Sequence, residues 1–590
     1  MVDQSFSDVQ KQYLEGFFAA VKQHPFVGTT VEGRITPSPS EAIRGNEALP
    51  PESSDETWWG VPLEDLSKEE LLKHEQNPLD IYDRIVEYAR QSRFPEAGDV
   101  YRWKFSGLFY VAPAQDAYMM RVRIPGNVLL SHQLRGLAEI ASDWGGGYGD
   151  VTTRGNIQIR EIKPGDSINC LLKLAEVGLS SKGSGCDNVR NITASPTAGF
   201  DPQELIDVRP LAKAMQYYIA NHRDLFGLPR KFNICFDGGG AISVVSDTND
   251  IGFKAVRISD GQSMSPGVYF RMLLSGITGH RQFGEDAEVL VKPEECVAVA
   301  AAILRVFNEM GDRTNRKKAR LKYVTDRLGM KKFLEHVETK LAFPLGRAVD
   351  AKLQEAHPPI RHAHIGIHRQ KQKGLDYLGV LLPVGRMTAR QMEGVADLAD
   401  RYGVGEIRTT VWQNILLPGI PENQVNQVTR RLRPLGLDIR ATSFRAGVVA
   451  CTGRVGCRYA ATDTKGQGAA LIRHLESKLT IDLPINIHLT GCPHSCAQHY
   501  IGDIGLLGAV VTGPAGGKSE GYHVLVGGGC DDDQAIGREL FKGIIFEQLP
   551  ALIENMVRVY QARRNRGETF NEFTRRHEIG ELQELFGEMG

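Results

Sequence analysis

The chain lacks both a long apolar run and an excess of charge of either sign. Its 590 residues include 70 lysines and arginines against 71 aspartates and glutamates. No apolar stretch approaches the roughly 20 residues that a membrane-spanning helix needs, and a neutral balance provides no general attraction to nucleic acid. We therefore expect a protein that binds neither membrane nor nucleic acid.

Two kinds of short signal are missing as well. The first residues, MVDQSFSD, have no basic segment followed by an apolar core, so we expect a cytoplasmic protein. Residues Gly516–Ser519 resemble the end of a phosphate-binding loop, but Thr512 stands where its first glycine belongs. No Gly-x-Gly-x-x-Gly motif follows a predicted strand. Without a nicotinamide or flavin module, electrons must come from a partner protein.

One basic run remains without an assigned role. It spans Arg313–Arg320 and lacks the interleaved aromatic residues on which single-stranded nucleic acids stack. It is either the solvated face of a helix or part of an anion site.

Cysteine is scarce, with nine in the chain, yet four of them form two compact motifs. The motif Cys451–Cys457 encloses five residues, the motif Cys492–Cys496 encloses three, and 34 residues separate the two. Four thiolates in this pattern hold a tetrahedral zinc ion or an iron–sulfur cluster. The first spacing is wider than that of zinc sites, and Gly453 and Gly456 let its backbone wrap a bulky group. The pattern favours a cube held by Cys451, Cys457, Cys492 and Cys496.

Zinc binding and disulfide bonding are the competing explanations of these thiols. The odd total of cysteines and the absence of a secretion signal argue against disulfides. Each remaining cysteine is predicted to be a small buried hydrophobic residue: Cys170, Cys186, Cys235, Cys296 and Cys530.

An internal repeat organises the chain at a constant offset. Pro125 matches Pro383 and Asn156 matches Asn414, without a gap, and 383 − 125 = 258. The first copy predicts a strand, a turn, a helix and a strand, over Tyr118–Ile124, Pro125–Asn127, Ser131–Ser142 and Asp150–Ile162.

The copies differ in charge. Arg121 falls opposite Gly379, and Arg154 falls opposite Trp412. We expect the first copy to bind a ligand and the second to support it.

These features predict an α+β protein with an internal, pseudo-twofold duplication and mixed sheets packed with helices in three domains. The repeats occupy 101–170 and 371–435. A larger domain follows each, over 171–345 and 436–590, and the second of these contains the cysteine motifs and C-terminal helices. Residues 346–370 are predicted to be a linker, and 1–100 a segment that wraps the outside.

Polar side chains of the first repeat form a candidate ligand surface. In an extended strand over Thr152–Arg160, alternate residues share one face. That face would carry two arginines and two amides, which suit a large polycarboxylate: Arg154, Asn156, Gln158 and Arg160. A half-solvated strand with surface arginines is the alternative.

Further basic residues lie nearby in the chain. Arg121 falls on the first predicted strand, Arg190 in a loop, and Lys231 and Asn233 on one face of a short strand. Each alone is a weak signal, because a single cation on a strand is usually solvated.

The cysteine motifs with their flanks, Ala450-Cys-Thr-Gly and Thr490-Gly-Cys-Pro-His-Ser-Cys-Ala, resemble those of the sirohaem nitrite and sulfite reductase family. The resemblance runs from about Tyr101 to Gly590 and includes the duplication. It implies a duplicated sirohaem and iron–sulfur reductase fold. The four cysteines would hold a [4Fe–4S] cluster, Cys496 would also bridge to the sirohaem iron, and the polar face would bind sirohaem carboxylates.

The resemblance also implies an anion site made by Arg121, Arg190, Lys231 and Asn233. Sulfite reductases tend to carry lysine at the last position and nitrite reductases asparagine. A dianion gains more from an extra cation than monoanionic nitrite does. Asn233 therefore favours nitrite over sulfite. We expect an assimilatory nitrite reductase that takes electrons from reduced ferredoxin and works as a monomer. The alternatives are a ferredoxin-dependent sulfite reductase, a non-catalytic iron–sulfur electron carrier and a zinc scaffold.

Overall fold

The structure is a computed structural model that describes residues 56–260, 264–347, 352–513 and 516–587. Of the predicted wrapping segment 1–100, residues 1–55 lie outside the described residues. The rest of that segment begins with two short paired strands, β1 and β2, and continues in three helices, α1 to α3. Their bounds are Thr57–Trp58, Val61–Pro62, Lys68–Glu75, Tyr82–Arg90 and Ala97–Trp103.

The first repeat contains five strands and a helix, followed by a second helix. The strands are β3 to β7, at Leu108–Tyr110, Tyr118–Val122, Val128–Leu130, Tyr148–Val151 and Ile157–Ile162. Helix α4 covers Ser131–Glu139 and continues as a π-helical turn, and α5 covers Ser167–Glu176. The predicted strand and helix are confirmed, but the predicted strand Asp150–Ile162 is a hairpin. Its chain reverses because Gly155 adopts a positive φ of 64° and the Thr152 amide bonds to the Asn156 carbonyl at 2.9 Å.

The first larger domain is built on a seven-stranded sheet in the order β13-β12-β11-β10-β9-β8, with β14 paired to β10. Strands β8 to β14 are Thr193–Ala194, Ile234–Asp237, Ile251–Asp260, Gly267–Leu274, Glu285–Val291, Gly346–Arg347 and Lys352–Glu355. Its helices α6 to α9 cover Arg209–Asn221, Cys296–Met310, Leu321–Leu328 and Met330–Thr339. Helix α7 is apolar on nearly every side because the domain core surrounds it.

The second repeat reproduces the first at the predicted offset. Its strands β15 to β19 cover Gly366–Arg369, Leu375–Val380, Arg386–Thr388, Glu406–Thr409 and Ile415–Pro421, with helices α10 at Ala389–Tyr402 and α11 at Val425–Leu432. The repeats exchange one strand each. β17 completes the first sheet, β3-β4-β7-β6-β17, and β5 completes the second, β15-β16-β19-β18-β5. Both repeats therefore share one hydrophobic core.

The second larger domain has a five-stranded sheet in the order β20-β21-β22-β23-β24. The strands are Val448–Ala450, Ile487–Thr490, Ile504–Thr512, Lys518–Val526 and Arg538–Ile545. Helices α12 to α16 cover Ser443–Gly447, Thr464–Lys478, Leu549–Arg563, Phe570–Arg576 and Ile579–Gly587. Strands β20, β21 and β22 are parallel, so the carboxyl ends of β20 and β21 meet at one edge of the sheet.

The shared core of the repeats and the cores of the two larger domains confirm the duplicated, three-domain α+β class. Where described, residues 346–370 contribute β13 and β14 to the first larger domain and β15 to the second repeat. Within the described residues, no helix is both long and apolar enough to span a bilayer.

Candidate active site and cofactor centre

Two arginines from different elements converge on one carbonyl oxygen. Arg190, in the loop before β8, donates from Nη1 to the Ser184 oxygen at 3.0 Å, and Arg121, on β4, donates to the same oxygen at 3.4 Å. The Arg121 guanidinium also lies 4.7 Å from the centroid of the Phe109 ring. A side chain at position 185 would meet that ring at 2.3 Å, so Gly185 makes room for it. These contacts bring together two of the predicted site residues.

Lys231 and Asn233 lie beside this pair because of a short parallel bridge. Phe232 pairs with Val189, and the Arg190 amide donates to the Phe232 carbonyl at 2.8 Å. The Asn233 amide donates to Asp250 Oδ2 at 2.9 Å, while its buried side-chain oxygen has no partner among the described residues. The predicted anion residues thus form one group.

Burial and mutual repulsion make this group unusual. Chiefly burial, with a smaller effect of neighbouring arginines, lowers the pKa of Arg121 to about 9, that of Arg190 to about 10 and that of Lys231 to about 7. Among the described residues, none of these three cations forms an ion pair with a carboxylate. Buried cations without counter-ions favour a bound anion, because an anion compensates the charge that burial makes costly.

Arg123, two residues after Arg121, has a different environment. Its buried guanidinium donates to the carbonyls of Lys182 at 2.8 Å and Val189 at 2.5 Å, and to Gln216 at 2.7 Å. Its hydrogen-bonding capacity is used within the protein, so it supports the loop that carries Arg190.

The polar face predicted for sirohaem spans a turn and a strand. Arg154, in the hairpin turn, donates to Asn249 Oδ1 at 2.6 Å, and burial lowers its pKa to about 10. The Asn156 side chain bonds to Thr152 within the turn. Gln158 and Arg160 lie on β7, where Arg160 donates to Gln158 at 2.5 Å.

Arg160 also reaches the first cysteine motif. It donates to the Gly456 carbonyl at 3.0 Å and to Thr452 Oγ1 at 2.7 Å, and it lies 3.3 Å from Asp150. The turn touches the second motif, since Thr153 Oγ1 donates to the Cys496 carbonyl at 2.9 Å. The polar face and the cysteine motifs are therefore one structural unit.

The four cysteines follow the adjacent carboxyl ends of β20 and β21. The Cys451 amide donates to the Leu489 carbonyl at 3.0 Å, and the Gly491 amide donates to Cys451 Sγ at 3.2 Å. Chiefly burial, together with the charges of the other three thiols, raises the pKa of the Cys492 thiol to about 12. The four thiols thus lie close enough to interact.

This donor set fits an iron–sulfur cube. It consists of thiols supported by a backbone amide, and all nine cysteines are free rather than paired in disulfides. Among the described residues, no three cysteine, histidine or acidic side chains surround the position of a single ion. A cube does not require three side chains around one metal position, because each thiolate binds a different iron atom.

Sequence reasoning missed several residues that shape the site. Ser184 acts through its carbonyl, which no side-chain pattern reveals. Asp187 and Asp250 are fully buried carboxylates next to the basic residues. The position of Asp187, three residues before Arg190, was the available signal for the first of them.

Comparison with known proteins agrees with this arrangement. The family model described as the nitrite and sulphite reductase 4Fe-4S domain matches residues 185–345 and 442–588. The model of the nitrite/sulfite reductase ferredoxin-like half domain matches residues 112–177 and 368–435.

Individual relatives cover most of the chain. A protein named ferredoxin–nitrite reductase from Synechococcus elongatus is 34% identical over 84% of this chain and 96% of its own length. One named sulfite reductase (ferredoxin) 1 from Mycolicibacterium paratuberculosis is 28% identical over 91% of this chain and 100% of its own length. The solved structure of the Mycobacterium tuberculosis NirA protein superposes with a TM-score of 0.81 at 29% identity, covering 88% of this chain and 97% of that one. The chain therefore belongs to the nitrite and sulfite reductase family.

Proposed function

We propose that the chain is an assimilatory, ferredoxin-dependent nitrite reductase that converts nitrite to ammonium. The observation that carries the proposal is the group of buried cations that have no carboxylate partner among the described residues, completed by Asn233 rather than by a further cation. The named relatives support the same reading, since a ferredoxin–nitrite reductase from Leptolyngbya laminosa is 36% identical over 84% of this chain.

The family's cofactors are sirohaem and a [4Fe–4S] cluster; when bound, they would pass on, one at a time, the six electrons that reduced ferredoxin supplies. The cysteines Cys451, Cys457, Cys492 and Cys496 would hold the cluster, and Cys496 would also ligate the sirohaem iron. Arg154, Asn156, Gln158 and Arg160 would face the sirohaem carboxylates, for which an arginine fork is the preferred partner.

The residues of the anion site would bind the substrate anion, orient it and supply protons to it. Arg121 and Arg190 present guanidinium donors whose orientation the Ser184 carbonyl fixes. Lys231 holds its proton at Nζ with a pKa of about 7, so it can release that proton to a bound oxygen and regain it near neutral pH. Asn233 offers an amide donor without adding charge.

Sulfite reduction is the second candidate, because the mycobacterial sulfite reductase matches nearly the whole chain. A non-catalytic electron carrier would have no need for buried, unpaired cations. We further propose that the enzyme is a cytoplasmic monomer. Its exposed large apolar side chains are spread over separate elements, as Tyr82, Leu172, Tyr217 and Val510 illustrate.

The test is turnover by the purified holoprotein with reduced ferredoxin. Ammonium formation from nitrite should exceed sulfide formation from sulfite in kcat/KM. A higher kcat/KM for sulfite would establish the second candidate, and an absorption spectrum without sirohaem bands would reject both.

A further inference from the structure

The basic run Arg313–Arg320 is not the solvated face of a helix. It forms the connection between helices α7 and α8, and three of its arginines each pair with a buried carboxylate. Arg313 lies 2.7 Å from Glu70, Arg316 lies 2.7 Å from Asp187, and Arg320 lies 2.7 Å from Asp250.

Asp187 joins the two segments that carry the anion residues. Arg316 holds it through two bonds, of 2.7 and 2.9 Å, in a bidentate fork. It belongs to the Arg190 loop, and Arg230, the residue before Lys231, lies 3.6 Å away. One carboxylate thus fixes both segments relative to the basic run.

The N-terminal helices complete the surroundings of Asp187. Tyr101, on α3, donates its hydroxyl to Asp187 at 2.8 Å, and Lys73, on α1, lies 3.7 Å from it. Glu70, one turn before Lys73, accepts from Arg313 and from Trp58. The described part of the N-terminal segment therefore supports the anion site through its contacts with Asp187 and with Arg313.

Asp250 connects the segment that carries Lys231 and Asn233 to the basic run. Arg320 donates to it from Nη2 at 2.7 Å and from Nε at 3.3 Å, and the Asn233 amide donates to it at 2.9 Å. The neighbouring Asn249 receives the bond from Arg154. Asp250 thus ties Asn233 to the basic run and lies beside the anchor of the sirohaem face.

The ion pairs of Asp187 and Asp250 counteract the repulsion between the cations of the anion site. Arg121, Arg190 and Lys231 repel one another in a poorly solvated space, so the segments that carry them tend to separate unless something holds them. Complete ion pairs on the adjoining segments supply that restraint, while Arg121, Arg190 and Lys231 stay available to a ligand.

We propose that Asp187 and Asp250 are positioning residues, which hold the Arg190 loop and the Lys231–Asn233 segment in the geometry that binds the substrate anion. The inference rests on the proposed function for the identity of that anion. Neither carboxylate contacts the anion itself.

The test compares Asp187→Asn and Asp250→Asn with Asp224→Asn in the holoprotein. Asp224 is a matched control, because its carboxylate also forms a buried ion pair, 2.8 Å from Arg305, in the same domain. Among the described residues it bonds to none of the proposed anion residues. The readout is the Kd for nitrite from optical titration of the oxidised sirohaem, with sirohaem content and thermal midpoint measured in parallel.

We expect Asp187→Asn and Asp250→Asn each to raise the Kd for nitrite about tenfold or more at normal sirohaem content. Asp224→Asn should change it less than twofold while lowering the thermal midpoint. A Kd within twofold of the wild type in both test variants would overturn the proposal, as would equal weakening by Asp224→Asn.

Two milder variants keep the test decisive if Asp187→Asn does not fold. Tyr101→Phe removes one bond to Asp187, and Arg316→Lys keeps the charge but loses the fork. Each should weaken nitrite binding by at least threefold, and unchanged binding in both would contradict the role of Asp187. Sulfite titrations distinguish a failure of the nitrite assignment from a failure of the positioning role. Wild-type protein that binds sulfite but not nitrite would reject the nitrite assignment. The same variants, titrated with sulfite, would then test the positioning role of Asp187 and Asp250.

Discussion

Arg121 and Arg190 share one backbone oxygen as a hydrogen-bond acceptor, and within the part of the chain that the structure describes neither forms an ion pair with a carboxylate. Arg121→Ala should therefore remove a donor to the anion without disturbing the cofactors, which other residues hold. We expect turnover of nitrite to fall by about 10²–10³-fold, as for other preorganised donors, with nearly unchanged sirohaem and cluster spectra. Arg135→Ala is the control, since Arg135 forms exposed ion pairs with Asp397 and Asp400. Equal losses in both variants, or loss of sirohaem from Arg121→Ala, would contradict this role.

Lys231 gives the site a pH dependence. Because burial and the neighbouring Arg320 and Arg190 lower its pKa to about 7, the free enzyme loses this positive charge as the pH rises through about 7. A bound anion favours the protonated form, so nitrite affinity should fall above about pH 7, by at most tenfold per pH unit. Optical titration between pH 6 and 9 measures this.

Lys231→Arg serves as the control for that measurement. A buried arginine keeps its proton to a higher pH than a buried lysine does, so the fall in affinity should begin at a higher pH. His280 and His494 also lie near Lys231 and have lowered pKa values, caused first by burial. Because these values lie below the ordinary 6.5, the histidines cannot cause a loss of affinity above pH 7, and an unchanged profile in Lys231→Arg would contradict the role of Lys231.

Substitutions at Asn233 test whether this residue sets the preference for nitrite over sulfite. Asn233→Lys adds a cation where the wild-type side-chain oxygen is buried and has no hydrogen-bond partner in the described ranges. If one added charge interaction is worth about 1.4 kcal/mol, the ratio of kcat/KM for sulfite to that for nitrite should rise about tenfold. Asn233→Leu, which fills similar space without charge, should not raise that ratio. An unchanged ratio in Asn233→Lys would remove the physical argument for nitrite.

At the scale of elements, the repeat offset could be predicted because matched residues fold into matched strands. Strands β5 and β17 start at Val128 and Arg386, which differ by the predicted 258 residues. The exchange of these strands between sheets could not be predicted, because strand pairing depends on tertiary geometry rather than on local pattern. The hairpin within Asp150–Ile162 was missed because period two continues through the turn, and only Gly155 signals it.

The asymmetry of the repeats is visible in packing. Trp412, opposite Arg154, stacks on His364 with ring centroids 5.7 Å apart and donates to the Ser243 carbonyl at 2.9 Å. Gly379, opposite Arg121, has no room for a side chain, since an added Cβ would lie 2.4 Å from the His364 oxygen. Gly379→Ala would therefore test packing, not the missing charge.

The hairpin turn of the second repeat holds the strand that leads into the cysteines. Gln413, which corresponds to Gly155, has a φ of 60°, a conformation that glycine adopts more easily. Its side chain accepts from the Ala450 amide at 2.8 Å and donates to the Ala450 and Val151 carbonyls.

Gln413→Gly should lower the free energy of unfolding by about 1–3 kcal/mol despite the relief of backbone strain. The buried Ala450 amide would lose its partner, and an unsatisfied buried donor costs more than the strain does. Denaturant unfolding followed by circular dichroism provides the measurement. Thr410→Ser, within the same turn, is the control and should change stability by less than 1 kcal/mol. A more stable Gln413→Gly variant would show that backbone strain at this position outweighs the hydrogen bonds of the glutamine.

At the scale of the whole molecule, the site exists only because separate domains meet. The anion residues come from the first repeat and the first larger domain, and the cysteines come from the second larger domain. Their types and spacing could be read from the chain, since cysteine motifs and strand periodicity are local. The buried carboxylates that align them could not, because Asp187 and Asp250 gain their partners from distant segments.

Asp150 joins three of these parts through one buried carboxylate. It lies 2.9 Å from Arg386 of the second repeat, 3.3 Å from Arg160 of the first, and 3.6 Å from Lys465 of the second larger domain. Burial raises the pKa of Asp150, but these cations outweigh that effect and lower the pKa to about 2. Since the folded-state pKa lies below the ordinary value of 3.8, this stabilisation is present above about pH 4 and is lost as the pH falls through about 2.

Asp150→Asn should therefore destabilise the domains together rather than one of them. Removing one member of a buried ion-pair network leaves the others uncompensated and costs about 3–5 kcal/mol. Denaturant unfolding, followed both by circular dichroism and by sirohaem absorbance, should shift to lower denaturant as one coincident transition. Asp482→Asn is the control, because Asp482 pairs with Arg564 at the surface and should contribute about 1 kcal/mol or less. Separate transitions for the two signals in Asp150→Asn would show that the domains unfold independently, and that this carboxylate does not couple them.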